Sequence, residues 1–153
     1  MILIDAGPLI AIVDRDDRDH DRCVSVLRRL AVPLVTTWPA LTEAMYLLGD
    51  RAGWAAQERL WRMLLRRDLI ARVTDQPTLA RAFDLMRTYR NVPMDFADAT
   101  LVALAESLDD RRVFTLDRDF TIYRLHGRTR FELLPGSMQP GRQPSFDARS
   151  ARR

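Results

Sequence analysis

Four acidic residues stand where folding alone would not select a carboxylate: Asp5, Glu43, Asp98 and Asp117. Asp5 directly follows the apolar run 2–4, and Asp117 directly follows the apolar run 113–116. In a parallel sheet both side chains would lie at the carboxyl ends of strands, where open α/β folds bind their ligands. For Asp5 the alternative is a helix cap or an Asx turn, because Gly7 and Pro8 follow it.

Glu43 falls within a helix that the sequence predicts over residues 39–48, with Gly49 ending it. None of its neighbours three or four positions away is charged. A carboxylate on such a helix face loses hydration unless it meets a cation or a hydrogen-bond donor. The chain has no lysine and the nearest arginine is Arg51, so a local ion pair is not expected. An ion pair with an arginine distant in sequence is the alternative to a functional role.

Asp95 and Asp98 share one face at the start of a helix predicted over residues 96–108. Asp95 is a natural N-cap, and acids in a first helical turn complement the helix dipole. Capping explains Asp98 less well, because Leu101 and Val102, three and four positions later, are expected to point into the core.

Brought together by a fold, these carboxylates would repel one another unless a positive charge lay among them. The chain offers no lysine, and its two histidines and single cysteine show no metal-ligand spacing. The predicted counter-ion is therefore a hard divalent cation bound through oxygen, Mg²⁺ or Mn²⁺. Such a site can generate hydroxide and shield the charge of a phosphodiester during in-line attack.

The elements that must position these acids alternate between strand-like and helix-like segments. Strands are predicted over residues 2–4, 34–36, 69–73, 113–116 and 131–133. Helices are predicted over residues 19–30, 39–48, 55–67, 78–89 and 96–108. Strands separated by helices of ten or more residues imply right-handed crossovers and a parallel sheet with helices on its faces. The predicted fold class is α/β.

Composition narrows the function further. All 24 basic residues are arginine, which excludes Schiff-base chemistry and a phosphate-binding loop that needs lysine. Residues 1–134 carry 20 arginines and 20 acids, whereas residues 135–153 carry four arginines and one acid. We expect one folded domain over 1–134 and a flexible basic tail over 135–153, whose alternative role is contact with phosphates or a partner. The single cysteine, the lack of a long apolar run and the start MILIDAG favour a cytoplasmic protein without a membrane span.

Four segments, in order, resemble the PIN-domain ribonucleases, specifically the VapC-type toxins of bacterial toxin–antitoxin pairs. MILIDAGPLIAIVDRDD resembles the opening strand and helix of that family and carries its first acid, Asp5. TEAMYLL carries the second, Glu43, and PMDFADATLVALAE carries the third, Asp98, with Asp95 as an accessory. VFTLDRDF carries the fourth, Asp117, flanked by Thr115 and Asp119. The resemblance covers residues 1 to about 134.

The resemblance implies a three-layer α/β/α fold with a central, mostly parallel sheet. It also implies a Mg²⁺-dependent endoribonuclease that forms a homodimer and is neutralised by a cognate antitoxin. Asp5 and Asp98 would hold the metal directly, while Glu43 and Asp117 would complete its shell through water or orient the nucleophile. The products would carry a 5′-phosphate and a 3′-hydroxyl.

Two further residues are candidate substrate contacts beside these acids. Thr115 is expected to hydrogen-bond an acid or a phosphate, and Arg118 to contact the RNA backbone.

Two other functions fit parts of the pattern. One is a catalytically idle PIN-like module that binds RNA or protein, which the presence of all four acids disfavours. The other is a phosphatase of the haloacid dehalogenase type. That chemistry needs a second acid two residues after the nucleophilic Asp5, where this chain has Gly7, and a lysine, which it lacks.

Overall fold

The computed structural model describes residues 1–136, so the predicted tail lies outside the described residues from position 137 onward. Seven strands form in this range. In chain order they are β1 (Ile2–Ile4), β2 (Leu34–Thr37), β3 (Leu69–Arg72), β4 (Arg112–Phe114), β5 (Arg124–Leu125), β6 (Thr129–Arg130) and β7 (Glu132–Leu134). Five of them build one sheet in the order β3-β2-β1-β4-β7, in which every neighbouring pair is parallel. The α/β prediction with a parallel sheet is confirmed.

Six α-helices accompany the strands. They are α1 (Ala6–Val13), α2 (His20–Arg29), α3 (Trp38–Ala52), α4 (Trp54–Leu65), α5 (Gln76–Thr88) and α6 (Phe96–Leu108). A 3₁₀ helix, Arg118–Thr121, follows β4, and β5 pairs with β6 as a separate antiparallel hairpin. Among the described residues, no helix is both long and apolar enough to cross a membrane.

The three central strands β1, β2 and β4 are buried on both faces, as expected of a parallel sheet covered by helices, whereas the edge strands β3 and β7 are partly exposed. Leu3, Val35 and Val113 belong to a core that also contains the buried residues of α6 and α5. Their neighbours along the strands, including Ile4 and Phe114, belong to a second core with α1, α3 and α4. This alternation follows from the two-residue period of a strand, and it produces the three-layer α/β/α architecture.

The sheet has its topological switch point between β1 and β4. The chain proceeds outward from β1 through β2 to β3 and then returns to the other side of β1 as β4. The backbone N–H of Asp5 donates to the carbonyl of Phe114 at 3.0 Å, so the carboxyl ends of these two strands lie side by side. Open α/β sheets bind ligands in the crevice at such a point.

The predicted end of the third helix at Gly49 is wrong. α3 continues to Ala52 and ends at Gly53, whose positive φ of 71° is a backbone conformation that glycine adopts without strain. Gly49 lies inside α3 and faces α4. A Cβ at this position would lie 2.6 Å from Nε2 of Gln57, so the Gln57 side chain would have to shift to admit a larger residue.

The predicted strand over 113–116 is too long, because β4 ends at Phe114. Asp117 therefore does not follow the strand directly but caps the 3₁₀ helix. The β5–β6 hairpin was not predicted, since strands of two residues carry no measurable alternation. The helical spacing of Trp54 and Trp61 predicts that they lie in the core or at a subunit interface. Their side chains are 66% and 46% exposed, so they lie outside the core of the chain.

Candidate active site

Asp5 lies at the centre of the carboxyl edge of the sheet, between β1 and α1. One carboxylate oxygen, Oδ1, accepts from the N–H of Ala6 at 2.7 Å, and Oδ2 accepts from the hydroxyl of Thr115 at 3.0 Å. The side chain therefore does cap α1, as the alternative interpretation held, but it is also buried and held from β4. The pKa of Asp5 is raised to about 6, chiefly by burial and to a smaller extent by the charges of Glu43 and Asp117.

Asp98 occupies the first turn of α6 and is only 6% exposed. Its Oδ2 accepts a hydrogen bond from the Tyr123 hydroxyl at 3.0 Å. Burial raises the pKa of Asp98 to about 8, followed by the charges of Asp95 and Asp5, against which the Tyr123 hydrogen bond acts. A helix cap does not account for this carboxylate, because its side chain accepts from no backbone N–H in the described chain.

Asp95 is exposed and performs the role that capping predicts. Its side chain accepts from the backbone N–H of Asp98 at 2.8 Å and so begins α6. The cap fixes the first turn of the helix and thereby the backbone position from which Asp98 projects.

Glu43 lies on the exposed side of α3, beside a cavity of about 920 Å³. Asp95 lines the same cavity, together with Trp38, Tyr46 and Phe96. Partial burial raises the pKa of Glu43, and the charges of Asp95 and Asp117 add to the effect. Within residues 1–136 no arginine pairs with Glu43, so this range does not supply the distant ion pair considered above.

Thr115 links two of the predicted acids through its hydroxyl. It donates to Asp5 and accepts from the backbone N–H of Asp117, with both distances 3.0 Å. Asp117 is exposed, and its Oδ1 accepts from the N–H of Asp119 at 2.8 Å, which begins the 3₁₀ helix. Arg118 is exposed in that helix. Thr115 thus contacts an acid, one of its two predicted partners.

The four acids influence one another without forming a closed ligand cage. Each of Asp5, Glu43 and Asp98 has its pKa raised by the charges of others in the set. Nevertheless, no three His, Cys, Asp or Glu side chains in the described range lie close enough to hold a metal ion. Glu43 and Asp117 are exposed, whereas Asp5 and Asp98 are buried, so residues 1–136 present no preformed set of three acidic ligands.

The residues nevertheless fit a hard cation in their chemistry. Asp5 and Asp98 are buried carboxylates that make no ion pair with any residue from 1 to 136. Mg²⁺ usually keeps several waters and binds through one or two carboxylates, so a pair of buried acids with two exposed ones nearby suits it. Asp5 and Asp98 would hold the ion, and Glu43 and Asp117 would act through water.

Tyr123 is the site residue that sequence reasoning missed. A tyrosine six residues after Asp117 carries no spacing signal that relates it to Asp98, 25 positions earlier in the chain. The contact arises because the 3₁₀ helix turns the chain back across the first turn of α6. The pKa of the Tyr123 hydroxyl is raised by burial and by the charge of Asp98, which keeps it protonated as a donor.

A sequence profile of the PIN domain matches residues 2–124, most of the chain and all of the acids described above. The chain belongs to the PIN domain family. Among curated proteins, a search by sequence finds no match.

Solved structures share the PIN fold at low sequence identity. VapC20 from Mycobacterium tuberculosis, a sarcin–ricin loop cleaving toxin, has a TM-score of 0.74 and 18% identity, covering 80% of this chain and 94% of that one. A toxin–antitoxin complex from Klebsiella pneumoniae has a TM-score of 0.60 and 20% identity, covering 78% and 90%. FitAcB from Neisseria gonorrhoeae has a TM-score of 0.52 and 20% identity, covering 76% and 88%. At these identities the likeness establishes the fold of this PIN domain.

Proposed function

We propose that this PIN domain is a Mg²⁺-dependent endoribonuclease and the toxin of a toxin–antitoxin pair. The observation that carries the proposal is the buried pair Asp5 and Asp98 at the switch point of the sheet, unpaired with any cation in the described chain. Two buried acids with raised pKa values, one of which acts on the other through its charge, are candidates for a functional site. The VapC20 likeness supports the choice of RNA as substrate.

Each site residue has a role that follows from its position. Asp5 and Asp98 would hold the metal, which when bound would activate a water as nucleophile and shield the charge of the phosphate. Thr115 fixes the Asp5 carboxylate through its hydroxyl. Glu43 and Asp117, which are exposed, would act through water. Arg118, exposed beside Asp117, contacts the RNA phosphates.

The test is RNA cleavage by the purified chain with Mg²⁺, Mn²⁺ or chelator, together with growth inhibition on expression. Asp5→Asn and Asp98→Asn should each abolish both activities and leave the circular dichroism spectrum unchanged, because an amide keeps the shape but lacks the charge. Asp50→Asn, an exposed acid on α3, is the matched control and should cleave like wild type. Cleavage at near wild-type rate by either site variant would refute the metal assignment.

We further propose that the chain forms a homodimer and binds a cognate antitoxin in the cytoplasm. Large apolar side chains are exposed together around the cavity beside Glu43, namely Trp38, Tyr46, Val73 and Phe96. Contiguous exposed apolar surface of this kind marks protein interfaces. Two of the structures with this fold are described as a toxin–antitoxin complex and FitAcB, which supports an antitoxin partner. Light scattering of the chain alone and with the product of a neighbouring small reading frame tests both contacts.

A PIN module that binds RNA or protein without cleaving it is the second candidate. The observation that favours it is that residues 1–136 place no three acids within metal-binding distance of one another. Calorimetric titration with Mn²⁺ distinguishes the nuclease from the idle module. An idle module should not bind Mn²⁺ at Asp5 and Asp98, and it should not cleave RNA when the metal is supplied.

A further inference from the structure

Tyr123 makes the one hydrogen bond to the Asp98 carboxylate in the described part of the chain. The tyrosine is fully buried, and its hydroxyl donates to Oδ2 of Asp98 at 3.0 Å. Oδ1, the other oxygen of that carboxylate, accepts no hydrogen bond from residues 1–136. The two carboxylate oxygens therefore differ, since Oδ2 is hydrogen-bonded to Tyr123 and Oδ1 has no hydrogen bond within residues 1–136.

The ring of Tyr123 is held in place from two sides. Tyr89, the residue that ends α5, packs against it edge to face with ring centroids 5.1 Å apart, and Phe120 of the 3₁₀ helix does so at 5.2 Å. Phe120 is in turn packed against Phe131 at 5.9 Å. A ring confined in this way has a fixed hydroxyl position, because aromatic pairs prefer such edge-to-face geometry and resist rotation in a close-packed core.

Packing alone does not explain a hydroxyl at this position. Phe120 and Phe131 fill the same core without a polar group, and the hydroxyl of Tyr89 meets the backbone N–H of Arg124 rather than a carboxylate. Burying a hydroxyl is costly unless it finds a partner, and the partner here is a carboxylate that is itself costly to bury. The phenol of Tyr123 therefore serves Asp98 rather than the core.

We propose that Tyr123 is a positioning residue, which fixes the Asp98 carboxylate through Oδ2 and so presents Oδ1 to the catalytic cation. The proposal rests on the proposed function, because it requires Asp98 to be a metal ligand. In this role Tyr123, which follows the 3₁₀ helix, orients the carboxylate of Asp98 on α6. Partners that orient metal ligands in this way typically contribute 10–100-fold to metal affinity or activity.

The experiment measures Mn²⁺ binding to the full chain by calorimetry and, in parallel, the kinetics of RNA cleavage. Tyr123→Phe keeps the ring and removes only the hydroxyl. We expect Mn²⁺ affinity to fall about 10–100-fold. We also expect a lower kcat at saturating RNA and an unchanged KM for RNA, because the tyrosine is buried and touches no substrate.

Tyr89→Phe is the matched control. It removes a hydroxyl from the same aromatic cluster, where that hydroxyl accepts from the backbone N–H of Arg124 at 3.1 Å and does not contact Asp98. This variant should bind Mn²⁺ like wild type. In an Asp98→Asn background, Tyr123→Phe should cause no further loss of Mn²⁺ affinity, because its effect acts through the carboxylate.

The outcomes distinguish the positioning role of Tyr123 from the proposed function of the chain. If wild type binds Mn²⁺ and cleaves RNA but Tyr123→Phe does both equally well, the positioning role is wrong and the proposed function stands. If wild type does neither, the proposed function itself is wrong. If Tyr123→Phe is unfolded at room temperature, its Mn²⁺ affinity and that of Tyr89→Phe are measured at a lower temperature at which both are folded. A wild-type affinity of Tyr123→Phe under those conditions would again overturn the proposal. Equal loss of Mn²⁺ affinity in the Tyr89→Phe variant would overturn the proposal, since it would show a general effect of the aromatic cluster.

Discussion

Replacing Asp98 by asparagine should stabilise the chain when divalent metal is removed. The carboxylate lies in a buried position with other acids near it and no cation from residues 1–136 to compensate it. Its charged form is therefore unfavourable in the folded state without metal. Asparagine has nearly the same shape, and its carbonyl oxygen can still accept the hydrogen bond from Tyr123.

The size of the effect follows from the pKa of Asp98, which rises from 3.8 to about 8 in the folded chain. At pH 7 the folded state keeps a proton on Asp98 that the unfolded state has released. Because pH 7 lies about three units above the ordinary pKa of the carboxyl group, keeping this proton costs the folded state about 4 kcal/mol. The buried amide of asparagine costs about 1–3 kcal/mol of lost hydration. The variant should thus gain about 1–3 kcal/mol, or about 3–10 °C in Tm for a domain of this size.

The sign of the pH dependence is equally specific. A carboxyl whose pKa is raised on folding stabilises the folded state at low pH and loses that contribution as pH rises. In chelator, wild type should therefore lose stability from about pH 4 to pH 8, as first Asp5 and then Asp98 ionise. Asp98→Asn should show a flatter curve, and Mg²⁺ should restore wild type at pH 8.

The assay is thermal or urea unfolding at several pH values in chelator and in Mg²⁺, with Asp50→Asn as the charge-matched control. Asp50 is exposed on α3, so its replacement should leave both the Tm and the pH profile unchanged. A Tm of Asp98→Asn at or below that of wild type in chelator, together with a wild-type stability that does not fall toward pH 8, would refute the reasoning.

Three further predictions follow from the same contacts. Glu43→Gln should abolish cleavage. It should keep or raise the Tm in chelator, because it neutralises one of several acids that repel one another. A loss of about 3–5 kcal/mol in the free energy of unfolding would instead indicate that a buried ion pair has been broken. Thr115→Val removes a donor that lowers the pKa of Asp5, so the acid limb of the cleavage profile should move to higher pH, with a stability loss of about 1–3 kcal/mol. Truncation after Gly136 removes a net charge of +3, so RNA binding measured against salt should lose about three phosphate contacts at most. Mapped cleavage sites should not move, and a changed site would show that the tail reads RNA.

Patterns of hydrophobicity predicted most of the scaffold. The five sheet strands and the helix over residues 96–108 were found, because apolar runs of this kind report burial directly. Boundaries were less reliable where a glycine had two explanations. Gly49 lies within α3 against the side chain of Gln57, whereas Gly53 ends the helix with a positive φ, and the sequence alone does not distinguish these two positions.

The local positions of two candidate acids were predictable from the sequence. Residue type and position predict that Asp5 follows a strand and that Asp98 lies in the first turn of a helix, and both residues lie there. Spacing along a chain does not report exposure, so the difference between these buried acids and the exposed Glu43 and Asp117 was not foreseen. Tyr123 was missed for the same reason, since its contact depends on a turn of the 3₁₀ helix.

The order of strands in the sheet also determines when the acidic site is completed during synthesis of the chain. Asp5 is synthesised early, but its hydrogen-bond partner Thr115 follows 110 residues later. The N–H of Thr115 bonds to the carbonyl of Leu134 on the last strand, so the edge that holds Asp5 is completed only by β7. At about 5–20 residues per second, roughly 5–30 s separate the synthesis of Asp5 from that of this strand. A nascent chain that has not reached Thr115 therefore carries Asp5, Glu43 and Asp98 without the contact that holds the Asp5 carboxylate.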